Sequence, residues 1–546
     1  MSAIPFLDCN CMIGIRAKPE PCSIYKLEDF KRDFEYYDIM AAVVYHAVAH
    51  EYSCDYGNRR LMREIGDDPQ LVPQWVLLPH HTNEMPPAPE LVAEMLSLGV
   101  RCARILPKTH GFGTSEYVVG PLLGELERAR IPLFIDQGEL SLEEAVTLCR
   151  RHPLLPVVLC GTSWASDRVL YPALALAPNL HIETWAHQGH RAYERFVREF
   201  GSDRLLFGTD LPNRSPGAAR MMCNYEQISD EDRRKIAGGS MLRLLSNVRG
   251  AQGRPLPELA DPPAHPDDDP IVACVRAGKP LSEWFILDAH GHISHPGAMG
   301  VRIALPYNDG DHLVETMDRV GIDLCVVSTW SGITEGDPES NDIALDAVGK
   351  HPGRLLAYGC NNPNYPEQYR AEFERIFLTD RVVGYKPYPS QQGIRIDAPE
   401  HELILRWADE QEKPVLCHGS MSPAGGMSPD MAKDLGKKYP NAKFLVAHTG
   451  SSWPFAQGIA AAAKECPNVF AEITYTAILY GFIEYFCEEV GAEQLLFGTD
   501  CVMRDVAPQL GWVAWARIPF EDKLKVLAQN MADILKMPVE QRVSRT

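Results

Sequence analysis

His290 and His292, one residue apart, follow directly on the run Trp284-Phe285-Ile286-Leu287-Asp288. On a strand, side chains at i and i+2 point to the same side. His418 ends a second apolar run, Pro414 to Cys417, His448 a third, Phe444 to Ala447, and Asp500 a fourth, beginning at Leu495. Imidazoles and carboxylates bind divalent ions and move protons near neutral pH. A lone His-x-His pair is a weak signal, but four histidines and an aspartate spread over four strand ends form a much narrower pattern. If those strands form a parallel barrel, their C-terminal ends converge and all five groups meet at one mouth.

The elements that must position them come from a repeat. The run Leu-Leu-Phe-Gly-Thr-Asp occurs at Leu205 to Asp210 and again at Leu495 to Asp500, an offset of 290 residues. Other stretches match in order: Phe6 to Ile13 with Ile286 to Ile293, Ala103-Arg104 with Tyr385-Lys386, Ile131 to Asp136 with Lys413 to His418, Gly161 to Trp164 with Gly450 to Trp453, and His181 to Glu183 with Phe470 to Glu472. Long-period self-similarity identifies two copies of one domain. In the first copy, strands are expected at Ala41 to Tyr45, Gln74 to Leu78, Cys102 to Leu106, Pro132 to Ile135, Val157 to Leu159, His181 to Glu183 and Leu205 to Phe207, with helical stretches such as Leu142 to His152 and Glu231 to Asn247 between them. About eight strand-helix units in about 250 residues read as an α/β fold of two tandem TIM-like (β/α)8 barrels. An open doubly wound sheet is the weaker reading, because no glycine-rich phosphate loop follows the first strand. The domains are expected at residues 1–250 and 271–546. Six prolines between residues 251 and 270 read as a stiff linker.

A formal net charge of −20 argues against nucleic-acid or anionic-membrane partners. No run is long and apolar enough to span a membrane, and the start lacks a signal-peptide pattern, so the expected location is the cytoplasm. The 15 cysteines show no metal-ligand spacing and read as reduced thiols. Strand alternation places Cys9 and Cys11 together on the face opposite Asn10 and Met12.

The stretches Asp288-Ala289-His290-Gly291-His292, Gly384-Tyr385-Lys386, Pro414 to Gly419, Val446-Ala447-His448-Thr449-Gly450 and Phe497-Gly498-Thr499-Asp500 together resemble the amidohydrolase-related family. That family comprises metal-dependent barrels that include aminocarboxymuconate-semialdehyde decarboxylase. The resemblance covers nearly all of both copies. It implies that His290, His292, His418 and Asp500 ligate one divalent ion, with His448 beside it as acid, base or carbonyl polariser. Three imidazoles and a carboxylate suit zinc first, with manganese or iron also compatible. Asp500 would take a proton from activated water and pass it to the leaving group. Lys386 is read as a substrate-anion contact, with a carboxylated metal bridge or a plain salt bridge as alternatives. Glu472 is read either as the carboxylate that orients a ligand histidine or as a loop cap. His295 and Arg504, just past the first and last motifs, are read as substrate contacts.

The first copy departs at these positions. Asn10 and Met12 replace His290 and His292, Asp136 replaces His418, Leu159 or Cys160 stands for His448, Arg104 replaces Lys386, and Asp210 remains. It is expected to be silent, with His80, His81, His187 and His190 the residues from which a different site could be built. Family barrels that pair imply an intramolecular pseudo-dimer, with further homo-oligomerisation open, in which Arg168 or Arg214 could serve the second mouth. The primary expectation is hydrolysis of a small amide, lactone or related carbonyl compound by metal-activated water. Non-oxidative decarboxylation of an aromatic or unsaturated acid is the alternative, and a two-barrel binding or scaffold protein the third reading.

Overall fold

The computed structural model describes residues 4–266, 268–295 and 303–544. Two compact units divide the chain, Met1–Pro266 and Asp267–Thr546. The first holds β1 (Phe6–Ile13), β2 (Ile39–His46), β3 (Leu71–Val76), β4 (Cys102–Arg104), β5 (Leu133–Asp136), β6 (Val157–Cys160), β7 (Leu180–Glu183) and β8 (Leu205–Leu206). The second holds β9 (Leu287–Ile293), β10 (Leu324–Thr329), β11 (Leu355–Gly359), β12 (Gly384–Tyr385), β13 (Pro414–His418), β14 (Lys443–Ala447), β15 (Val469–Glu472) and β16 (Leu495–Leu496). Each set pairs in parallel and in chain order, with helices between the strands. Parallel strands covered on both faces need near-continuous apolar sequence, which is what runs such as Leu-Cys-Val-Val in β10 supply.

Backbone hydrogen bonds close each barrel. Cys9 N donates to Phe207 O at 2.9 Å and Ala289 N to Phe497 O at 3.0 Å. Beyond β8 and β16 the chain enters matching π-helical turns, Lys235–Gly239 and Lys525–Gln529. Their wider winding leaves carbonyls available to outside donors, and Phe207 N and Phe497 N reach Ile236 O and Val526 O, each at 3.0 Å.

The first strand of each barrel is bulged. Cys9 and Asn10 together oppose Val43, and Ala289 and His290 together oppose Val326. The extra residue shifts the alternation, so Ala289 packs into the core with Leu287, Val326, Leu416 and Leu445 while the next residue, His290, turns to the site. The same bulge overturns the expected common face for Cys9 and Cys11. Cys9 joins the core with Leu7, Phe134, Val158 and Cys160, whereas Cys11 lies beside Asp8.

Residues 251–266 contain no helix or strand. They lie along the first unit: Leu256 and Leu259 pack against its core, Arg254 donates to Asp68 O and Leu71 O, and His265 meets Asp38 at 2.8 Å. Residue 267 of the proline-rich stretch falls outside the described residues. The second unit begins with a helix, Pro270–Arg276, capped by Asp269. Among the described residues, no helix is long and apolar enough to cross a membrane.

Candidate metal centre

His290 and His292 project from the end of β9, and Asp500 follows β16. Their ligand atoms converge. His290 Nε2 stands 3.2 Å from His292 Nε2, and Asp500 Oδ1 is 2.9 Å from His292 Nε2 and 3.7 Å from His290 Nε2. Ligands bound to a tetrahedral ion at about 2.1 Å are about 3.4 Å apart, so these three atoms are spaced to share one ion. All three residues are buried. The outer ring nitrogens are engaged elsewhere, His290 Nδ1 with Glu472 Oε2 at 3.1 Å and His292 Nδ1 with Ser328 Oγ at 2.9 Å. That leaves both Nε2 lone pairs directed inward, the arrangement a metal requires.

Electrostatics point the same way. Burial, and then the nearby Lys386 ammonium, holds His290 and His292 well below the ordinary imidazole range. Burial and then His418 do the same to His448, and burial lowers His418 to about 4. All four rings are therefore neutral donors. His418 lies edge-on to His448, with ring centroids 4.8 Å apart, and its buried Nδ1 has no hydrogen-bond partner among the described residues. A stranded polar atom costs about 1–3 kcal/mol unless a bound group engages it. His290, His292 and Asp500 form one donor group, and His290, His448 and Glu472 another. His418 belongs to neither and reaches them through the ring of His448.

Lys386 follows β12 and places Nζ 2.9 Å from His290 Nε2. Burial lowers its pKa to about 8 against the attraction of Glu472, whose own carboxyl burial raises to about 7. Arg504 pairs through its guanidinium with Asp500, donates from Nε to Thr476 Oγ1 at 2.8 Å, and lies over the Tyr475 ring. His295 lines a cavity of about 290 Å³ with Asp309, Asp311, Asp346, Lys350 and His351, none of which belongs to the donor groups.

Several site residues carried no motif. Trp330 faces His292, Tyr388 faces His418, Tyr475 faces His448, and Thr474 touches both His448 and His290. Each lies one to three residues beyond a strand end, the rule that could have found them.

The equivalent centre of the first barrel is filled by Arg104. Its Nε donates to Gln74 Oε1 at 2.8 Å, and its terminal nitrogens donate to Asp136 Oδ1 at 2.7 Å and Asn10 Oδ1 at 2.6 Å. Its guanidinium stacks 4.3 Å from the Tyr45 ring. Strand register corrects one equivalence: Asp136 pairs with Cys160 as His418 pairs with Ala447, so Gly161, not Leu159 or Cys160, stands for His448. Trp185 fills the adjoining space, and a Cβ at Gly161 would lie 3.4 Å from its indole nitrogen. Arg214 rests on this barrel's own Trp185 and lies 3.7 Å from Asp210. Among the described residues, both candidate donor groups belong to the second barrel.

The amidohydrolase family model matches residues 16–246 and again residues 288–536. The chain belongs to the amidohydrolase family. With this donor set in its second barrel, it is a metal-dependent enzyme of that family. Similar solved structures include 5-carboxyvanillate decarboxylase from Novosphingobium aromaticivorans DSM 12444, complexed with manganese and 4-hydroxy-3-methoxy-5-nitrobenzoic acid, at 15% identity over 47% of this chain and 97% of that one, TM-score 0.39. Another is 2,6-dihydroxybenzoate decarboxylase from Rhizobium, at 16% identity over 46% of this chain and 99% of that one, TM-score 0.40. A third is a manganese-bound dihydroxybenzoic acid decarboxylase from Polaromonas sp. JS666, at 16% identity over 47% of this chain and 98% of that one, TM-score 0.39. A search among curated proteins returns no match.

Proposed function

We propose that the second barrel removes carbon dioxide, without oxidation, from an aromatic or unsaturated carboxylic acid. The observation that carries this reading is the pair of buried cations at the donor cluster, Lys386 against His290 and Arg504 against Asp500. Asp500 and Glu472 at most balance these two cations. The charge of an ion held by His290, His292, His418 and Asp500 is then uncompensated in a low-dielectric site, and an anionic substrate supplies the missing charge. Trp330, Tyr388 and Tyr475 give the mouth flat aromatic faces suited to a planar acid.

Hydrolysis needs Asp500 as a base for water, and that carboxylate is already paired with the Arg504 guanidinium. Decarboxylation needs no such base. A divalent ion in this position would orient the carboxylate and steady negative charge developing on the substrate. Lys386 adds a cation beside the same charge. His448 presents a neutral Nε2, able to take up a proton and deliver it to the carbon from which carbon dioxide leaves, so that the carboxylate anion plus one proton yields the shortened product and carbon dioxide. Zinc, manganese and iron all accept this donor set. The first barrel, with Arg104 in the equivalent place, is assigned a structural and not a catalytic role.

The test is incubation of the metal-loaded chain with 2,6-dihydroxybenzoate, 5-carboxyvanillate and related hydroxylated or unsaturated acids in H₂¹⁸O. Carbon dioxide release, with no ¹⁸O in the organic product, is expected. Solvent oxygen incorporated into an amide- or lactone-derived product without carbon dioxide release would replace this reading with hydrolysis.

A further inference from the structure

We propose that Thr474 is a positioning residue that fixes the tautomer of His448, and secondarily of His290, so that both present Nε2 to the reacting atoms. The proposal rests on the reading of His448 as the proton-handling group and adds what holds it there. The Thr474 hydroxyl lies 2.6 Å from Glu472 Oε2, 2.5 Å from His448 Nδ1 and 3.2 Å from His290 Nδ1. Thr474 N also donates to Glu472 Oε1 at 3.0 Å. A hydroxyl has one proton to give and two lone pairs to receive with. The hydroxyl donates its one proton to Glu472 Oε2. Both lone pairs then face imidazole nitrogens, which must carry their protons on Nδ1. Three buried groups thus share one hydroxyl, with every position filled.

The histidine rings have little freedom to escape this arrangement. His448 stacks on His290 at an interplanar angle of 14° and meets His418 edge-on. A Cβ at Gly498 would collide with Glu472 Oε1 and with His290 Cβ, so the glycine of the Gly-Thr-Asp step leaves room for the Glu472 end of the relay. The first barrel has changed both ends together. Glu183 keeps its carboxylate, with Trp185 N donating to Oε1 at 2.6 Å, but Trp185 stands where Thr474 is and Gly161 where His448 is. Where no imidazole needs orienting, no hydroxyl remains to orient it.

The experiment is ¹⁵N spectroscopy of the full chain, zinc-loaded and labelled in histidine, with the His448 signals identified by their loss in His448→Gln. The wild-type ring is expected to be protonated at Nδ1. Thr474→Val, which keeps the shape and removes the hydroxyl, should move protonation partly or wholly to Nε2, and Thr474→Ser should restore Nδ1. Because His290 keeps Glu472 in every variant, zinc retention should fall by less than about tenfold. An Nε2-protonated His448 in the wild type overturns the proposal even if the valine variant does not fold, as does an unchanged tautomer in Thr474→Val. Carbon dioxide release by His448→Gln at the wild-type rate would instead remove the catalytic role of His448 and leave the hydrogen-bond assignment standing.

Discussion

The two barrels share a frame and differ at its centre. In both, an aspartate one turn of pleat before the site binds the chain end that closes the barrel: Asp8 accepts from Thr209 N and Oγ1 and Asn10 N, and Asp288 accepts from Thr499 N and Oγ1 and His290 N. Burial raises both carboxyls to about 6. Both terminal acids, Asp210 and Asp500, sit at positive φ, 59° and 61°. What differs is the cation at the fourth strand. Arg104 donates to Asn10, Asp136 and Gln74 through its planar fork, whereas Lys386 is a point charge that meets one imidazole, at His290 Nε2. In the first barrel a guanidinium thus engages the polar side chains at the centre, while the contacts of Asp8 match those of Asp288.

The largest expected contrast lies in the terminal acids. Asp500→Asn should abolish both turnover and metal retention, whereas Asp210→Asn should change neither, as read by carbon dioxide release and elemental mass spectrometry. Equal metal loss from both variants would end the distinction between a working and a silent barrel. His448→Gln should lower turnover about 10²–10⁴-fold with the ion retained if it is held by His290, His292, His418 and Asp500 as proposed; loss of the ion would make His448 a ligand in the second donor group, with His290 and Glu472.

Stability should show the opposite polarity. Arg104→Met strands Asp136, Asn10 and Gln74 and should destabilise the first barrel by about 3–5 kcal/mol in urea unfolding. Lys386→Met removes an ammonium whose pKa burial already lowers to about 8 and should destabilise far less. A larger loss from Lys386→Met would mean that the lysine, too, is a structural plug. Asp8→Ala and Asp288→Ala should each cost on the order of 3 kcal/mol, and similar values would confirm the shared frame. The smallest effect is expected at Gly161, whose φ of 72° suits glycine. Gly161→Ala should cost about 1–2 kcal/mol and leave turnover unchanged.

Much of this was legible in the chain itself. The repeat, the two (β/α)8 barrels and the order of His290, His292, Lys386, His418, His448 and Asp500 follow from periodicity and motif spacing, because a parallel barrel converts position at a strand end into position at one mouth. Replacement of the first-barrel histidines was equally visible. Tertiary structure decided what spacing does not encode. The β9 bulge lets neighbouring Ala289 and His290 serve core and site, and strand register sets Gly161 against His448. Thr474, Ser328 and Tyr388 enter the centre from loops and strands with no motif of their own. Arg504 turns to Asp500, and His295 lines another cavity. The physical reason is that strand ends are placed by a repeating backbone ladder, whereas the hydrogen-bond partners of a buried imidazole are chosen by whichever polar atoms the folded loops bring within about 3 Å.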